Sequence, residues 1–242
     1  MRTRYTIFSY AVLMLLYNIA PLTPPLFAQD LTTNDVLEKI ARLAEATGSY
    51  HAEFTVVTEK NGISKTAIGQ MKYKWPNKSW REIKRQRDGA LMGLVISNGT
   101  IKWNYIPSAQ LALKYDLGAI KKDAQEKGWG SAAELDEASL EYVGIEQLDG
   151  ESVYVLEGIS SDLLKHHDPD EPEKVRVYIG VEDGIIRKTV TYNAHGRELG
   201  SQTFFNIQRD LSIADKDFEF SPPEGTKIYE MKDIGSPQIS SH

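Results

Sequence analysis

Short stretches in which apolar and polar residues alternate constrain the fold of this chain more than any other feature of its sequence. Phe54 and Val56 alternate with Glu53 and Thr55, and the same period of two recurs around residues 71–75, 101–105, 111–115 and 175–181. Such alternation is typical of a strand with one buried and one solvated face. Pairs that favour tight hairpin turns separate the stretches: Asn61-Gly62, Asp88-Gly89, Asn98-Gly99, Asp149-Gly150 and Asp183-Gly184. The pattern predicts an antiparallel meander.

Further strands are predicted at residues 140–145, 153–156, 185–192, 202–208 and 218–220. The total is about ten to eleven strands, and a twisted sheet of that size must curl or split to cover its apolar face. No linker rich in proline, serine or glycine interrupts the run. We therefore expect residues 29–242 to form a single, mainly β domain.

Two segments depart from the period of two. Residues 32–48 have the features of an amphipathic helix: Thr32 or Thr33 can cap it, Asp35 lies in its first turn, and Gly48 can end it. Its apolar stripe consists of Val36, Leu37, Ile40, Leu43 and Ala44. Residues 117–139 are rich in helix formers but have a thin apolar face, so we expect short helices that cover the sheet.

The N-terminus has the pattern of a secretory signal peptide. Arg2 and Arg4 precede an apolar run at residues 11–16, prolines follow, and the small residue Ala28 comes before the first acid, Asp30. An uncleaved membrane anchor is the competing interpretation, but it needs about 20 predominantly apolar residues. We expect residues 1–28 to be a cleaved signal peptide and the mature chain to be a soluble periplasmic protein.

The composition excludes several classes of function. The 242 residues include 28 basic and 34 acidic side chains, for a net charge of −6, which argues against nucleic acid as a partner because that affinity depends on clustered lysine and arginine. The chain has no cysteine. This excludes a disulfide framework, a thiolate metal site, a cysteine nucleophile and a lipid-anchored cysteine.

The sequence carries no recognisable catalytic motif. It has no Gly-x-Ser-x-Gly elbow and no Walker loop, so we predict neither an enzyme nor a cofactor. The densest group of possible metal ligands runs from His166 to Glu173, but its two prolines and adjacent ligands favour a polar loop. We predict no metal site.

Aromatic residues crowd the first half of the expected sheet. Trp75, Trp80 and Trp103 lie near Tyr73 and Tyr105 in the sequence, and the remaining tryptophan is at position 129. These side chains could fill a core between sheet and helix, or they could line a concavity for an apolar ligand. Periodicity alone leaves both interpretations open.

Three motifs follow one another along the chain: Met71-Lys-Tyr-Lys-Trp75-Pro76-Asn77, then Asn98-Gly99 followed by Trp103-Asn-Tyr105-Ile-Pro107, and finally Phe218-Glu-Phe220-Ser-Pro222-Pro223-Glu-Gly225. Their order resembles that of the LolA-type periplasmic carriers of outer-membrane lipoproteins. In the family an arginine stands immediately before the first proline and helps to hold a lid closed, whereas this chain has Trp75 there. Trp80 could supply the aromatic that follows that proline.

The resemblance implies an unclosed antiparallel β-barrel of about eleven strands, covered by an N-terminal helix and short central helices, that shields acyl chains in transit. It implies a monomeric carrier that receives lipoprotein from an inner-membrane release complex and delivers it to an outer-membrane acceptor. The alternative is a periplasmic ligand-sensing or partner-binding regulatory module with the same fold. The residues predicted to bind lipid are Phe54, Val56, Met71, Tyr73, Trp75, Trp80, Trp103, Tyr105, Leu111, Leu113, Val177 and Ile179.

Overall fold

The alternating stretches join into one twelve-stranded sheet in a computed structural model, which describes residues 31–60, 62–117, 139–159 and 172–231. The first six strands are β1 (Ser49–Lys60), β2 (Ile63–Lys74), β3 (Lys78–Arg85), β4 (Leu91–Asn98), β5 (Ile101–Ile106) and β6 (Leu111–Asp116). The others are β7 (Glu141–Leu148), β8 (Glu151–Ile159), β9 (Pro172–Gly180), β10 (Ile186–Asn193), β11 (Glu198–Arg209) and β12 (Lys227–Met231).

The sheet contains two antiparallel meanders, the first formed by β1–β6 and the second by β7–β11, and they meet where β1 pairs with β11. The strand order is β12-β6-β5-β4-β3-β2-β1-β11-β10-β9-β8-β7, so β12 and β7 lie at opposite ends and leave the sheet unclosed in the described part of the chain. The pairing of β12 with β6 is parallel. The predicted fold class, an unclosed antiparallel sheet with an N-terminal helix, is confirmed with this one parallel addition.

The helix α1 (Thr33–Thr47) forms where the sequence predicts it. Thr32 is the N-cap: its Oγ1 accepts a hydrogen bond from the Asp35 amide at 3.2 Å, and the Asp35 carboxylate accepts one from the Thr32 amide at 3.0 Å. Gly48 ends the helix at φ 66°. The stripe is buried at Val36 and Ile40.

Contacts place α1 across the second meander. Thr33 Oγ1 accepts a hydrogen bond from the Tyr142 amide of β7 at 2.9 Å, and Thr47 Oγ1 donates to the Asp183 carbonyl at 3.0 Å. Between them, Lys39 Nζ lies 5.5 Å from the ring centre of Tyr154 in β8. Among the described residues, no helix is long and apolar enough to cross a membrane.

Three elements differ from the sequence-based expectation or lie beyond it. The strands β3 and β4 are not among the predicted stretches, and the strand predicted at residues 218–220 is wrong. There the chain forms a short 3-10 helix (Asp215–Phe218), and the last strand begins at Lys227. Phe218 is buried and Phe220 packs on Trp103, so these aromatics serve packing against the sheet rather than strand pairing. The predicted signal peptide at residues 1–28 and nearly all of the predicted cover at 117–139 lie outside the described residues.

Candidate functional site

The strand register divides the side chains between two faces of the sheet, because paired residues share a face and successive residues alternate. We call the face that carries Phe54 the inner face and the opposite one the outer face. One row of paired residues crosses six strands on the inner face: Ala52, Met71, Arg81, Val95, Asn104 and Leu113.

Under α1, the inner face is a closed core. Tyr154, Leu156, Val177 and Ile179 share this face through the pairing of β8 with β9 and are almost fully buried. The two predicted lipid-binding residues of this group, Val177 and Ile179, therefore lie in the packed part of the molecule.

Across the first meander, the inner face is only partly covered. Val56, Ile83, Val95, Leu111 and Leu113 lie on it and are half-buried. They form a continuous apolar surface from β1 to β6. Three of them, Val56, Leu111 and Leu113, are among the predicted lipid-binding residues.

Phe54 is the centre of the buried cluster that supports this surface. It packs with Ala52, Met71 and Phe204, and its ring centre lies 5.7 Å from that of Phe204. The ring lies over Gly69: a Cβ at that glycine would be 2.3 Å from Phe54 Cζ. The Arg81 guanidinium also covers the ring, 4.6 Å from its centre.

Arg81 also shows that the inner face is the concave one. Its Nη2 donates a hydrogen bond to Gln202 Oε1 at 2.7 Å. These residues lie on β3 and β11, three strand positions apart and so roughly 14 Å across a flat sheet. Side chains at that separation meet only where the sheet curves toward them.

Three of the predicted lipid-binding aromatics lie on the outer face. Trp80 pairs with Lys72 and Ile96, and Ile96 pairs with Trp103. Phe220 covers this face, with its ring centre 6.0 Å from that of Trp103 and 5.6 Å from that of Tyr105. The structure therefore separates Trp80, Trp103 and Tyr105 from the Phe54 cluster.

Tyr73 and Trp75 lie at the end of β2. Tyr73 is buried on the inner face, which raises the pKa of its phenol, and its hydroxyl donates to the Pro76 carbonyl at 2.7 Å. Trp75 follows the strand, is half-buried, and donates its backbone N–H to the Gly48 carbonyl at 2.6 Å. Of the predicted set, Phe54, Val56, Met71, Tyr73, Leu111 and Leu113 come together on the first meander.

Sequence reasoning missed Ile83, Val95, Arg81 and Gln202. The first three lie in the strands that alternation did not identify. The hairpin pairs at Asp88-Gly89 and Asn98-Gly99 bracket β4 and give the signal that could have located both strands.

A separate polar cavity of about 590 Å³ lies beside the turns that join β7 to β8 and β9 to β10. Asp183 is buried there. It accepts hydrogen bonds from the Ile185 amide at 3.0 Å, from Arg187 at 2.8 Å and from Arg209 at 3.4 Å. Burial and the Asp183 charge both raise the pKa of nearby Tyr50. Because these charges satisfy one another, we assign them a structural role.

The predicted ligand group at residues 166–173 lies almost entirely outside the described residues. Within the described ranges, no group of three or more histidine or acidic side chains could hold a metal ion.

Comparison with known proteins shows that this chain is similar in fold to several solved structures. No family model matches the chain. An uncharacterized protein of Methanocaldococcus jannaschii is 23% identical over 211 residues, which are 83% of this chain and 54% of that protein, so the chain spans about half the length of this curated relative. The chain also resembles in structure a LolA superfamily protein from Nitrosomonas europaea (14% identity, 78% of this chain and 98% of that one, TM-score 0.40). A conserved uncharacterized protein from Thermus thermophilus superposes with a TM-score of 0.54 at 12% identity, covering 81% of this chain and 99% of that one, and shares its fold.

Proposed function

We propose that this chain is an exported carrier or chaperone that holds acyl chains of lipoproteins or lipids on its inner face during transfer toward the outer membrane. The observation that carries the proposal is the apolar surface of Val56, Ile83, Val95, Leu111 and Leu113, which is half-exposed on the concave side of an unclosed sheet. The carrier-like order of the sequence motifs and the signal-peptide pattern at residues 1–28 support it.

The energetics favour a ligand with long hydrocarbon chains. Each CH₂ group removed from water contributes about 0.8 kcal/mol, so an acyl chain gains substantially from a surface that is already concave and apolar. The task requires binding and release without covalent chemistry. A release complex in the inner membrane and an acceptor at the outer membrane would be the partners of such a carrier.

Displacement of a fluorescent fatty acyl probe tests the proposal. The wild-type protein should bind the probe, and Leu113→Gln should weaken binding about tenfold, since full burial of a leucine is worth about 1.5–3 kcal/mol. Leu94→Gln is the matched control, because Leu94 is equally half-buried but lies on the outer face opposite Tyr105. Its affinity should stay within about twofold of the wild type.

Lipid extraction and native mass spectrometry of protein taken from the periplasm provide a second readout. Acyl-containing ligands should be released from the wild-type protein. Empty wild-type protein that also leaves the probe unbound would overturn the proposal. A stoichiometric partner protein in place of lipid would favour the alternative, a regulatory module with the same fold.

A further inference from the structure

Gln202 lies on the inner face, and its side chain carries a hydrogen-bond donor that no other described residue pairs with. The residue is only 8% exposed and pairs across the sheet with Val56. Its Oε1 accepts the 2.7 Å hydrogen bond from Arg81, which fixes the orientation of the amide, since a reversed amide would turn donors toward a cation. The Nε2 atom therefore points away from Arg81, and within the described part of the chain it has no hydrogen-bond partner.

A buried donor without a partner indicates that a bound molecule supplies the hydrogen-bond acceptor. Leaving such a group unpaired costs about 1–3 kcal/mol, and buried polar groups in folded proteins are nearly always paired. The amide oxygen of Asn104, on the same face, also lacks a partner among the residues that the structure describes. The Asn104 amide could also be oriented with its N–H groups in place of the oxygen. The orientation of the Gln202 amide is fixed by Arg81, so Gln202 indicates that the ligand must supply a hydrogen-bond acceptor.

The charges on the two faces are segregated. Glu53, Glu82 and Glu157 lie on the outer face. On β1–β6 and β12, which carry the apolar surface, the inner-face charged residues whose side chains the structure describes are all basic: Lys65, Arg81, Arg85, Lys102 and Lys227. A chain with a net charge of −6 thus presents a basic concave face, and a concave site with one sign of charge attracts the opposite sign.

We propose that the ligand of the inner face is an anionic amphiphile, with Gln202 Nε2 donating to an anionic oxygen of its head group and the apolar surface holding its chain. This inference rests on the proposed function and adds the chemistry of the head group. Val56, the partner of Gln202, begins the apolar surface, so head group and chain are bound side by side. The anionic oxygen can belong to a carboxylate or to a phosphate.

Three ligands test this selectivity by displacement of a neutral pyrene-labelled alcohol: hexadecanoate, lysophosphatidylglycerol and uncharged hexadecanol. The wild-type protein should bind at least one anionic ligand about tenfold more tightly than hexadecanol, as expected for one charge-assisted hydrogen bond. The tighter of the two anionic ligands identifies the head group as carboxylate or phosphate.

Gln202→Glu should bring the ratio of anionic to neutral affinity close to one, because the new carboxylate pairs with Arg81 and repels the ligand. Its affinity for hexadecanol should fall less than its affinity for the anionic ligands. Gln208→Glu is the matched control, since Gln208 lies on the same strand but pairs with His51 on the outer face. It adds the same charge and should leave the ratio unchanged.

If Gln202→Glu fails to fold, Gln202→Met, which lacks the donor but keeps the bulk, should lower the same ratio. Equal affinities of the wild type for hexadecanol and both anionic ligands would overturn the head-group proposal and leave the carrier proposal standing. Retention of the anionic preference by the Gln202 variants would also overturn it. Failure of all three ligands to bind would overturn both proposals.

Discussion

Replacing Gly69 with alanine should destabilise the inner face more than any other addition of one methyl group there. The new Cβ would be 2.3 Å from Phe54 Cζ and 2.2 Å from the Glu82 carbonyl oxygen, far inside van der Waals contact. Neither atom can move freely, because the Phe54 ring lies between Phe204 and Arg81 and the carbonyl belongs to the neighbouring strand β3.

Overpacking of this kind costs about 1–3 kcal/mol, and we expect the upper end of that range since one obstacle is backbone. For a domain of this size that corresponds to a fall in Tm of about 4–12 °C. Urea and thermal unfolding, followed by tryptophan fluorescence, measure it. Phe54→Leu should reduce the additional cost of Gly69→Ala, since it removes one of the two obstacles.

Gly93→Ala is the matched control, because Gly93 lies on the same inner face and a Cβ there would meet only the Tyr105 carbonyl at 3.8 Å. That variant should be neutral or slightly more stable than the wild type, since alanine restricts the unfolded chain. Equal stability of the Gly69 and Gly93 variants would refute the packing of Phe54 described here.

Three further predictions concern stability. Thr32→Ala should lower the free energy of unfolding by about 1 kcal/mol because it removes the N-cap of α1, and urea unfolding will measure it. Hydrogen bonds from Lys74 and a second lysine lower the pKa of Asp215 to about 2; wild type should therefore be more stable than Asp215→Asn at neutral pH, and the difference should vanish as the pH falls from about 4 through about 2. Gly184→Ala should lower Tm more than Gly150→Ala, since both glycines have positive φ but only at Gly184 would a Cβ approach α1, 2.8 Å from a carbonyl oxygen.

The sequence predicted α1 and most strands because the signals for them are local. The capping residues of the helix, its apolar stripe and its terminal glycine all lie within residues 32–48. Hairpin turns are equally local: Asp149 and Gly150 both have positive φ, as a two-residue hairpin requires.

The missed strands lack a clean alternation for physical reasons. In β3 the apolar residues Trp80 and Ile83 lie on opposite faces, and the remaining positions are polar or charged. In β4 both faces carry apolar residues, with Ile96 buried on the outer face and Val95 half-buried on the inner face, so the stretch has the pattern of a continuous apolar run.

The sequence did not separate the two groups of aromatic residues, because alternation does not say which face of the sheet a strand's apolar residues occupy. Trp103 and Tyr105 alternate as clearly as Met71 and Tyr73, yet the register places the two pairs on opposite faces. The outer pair is covered by Phe220, more than a hundred residues later in the chain. A contact over that distance leaves no trace in a local pattern.

The charge of the inner face also depends on which strand residues point to that face. Arg81 and Glu82 are neighbours in the sequence, and a composition count cancels one against the other. In a strand they point to opposite faces, so the cation lies on the inner face with the apolar surface and the anion lies on the outer face. A net charge of −6 disfavours a polyanion bound across the whole surface, but it carries no information about the sign of the charge inside the concavity, where a small anionic ligand would bind.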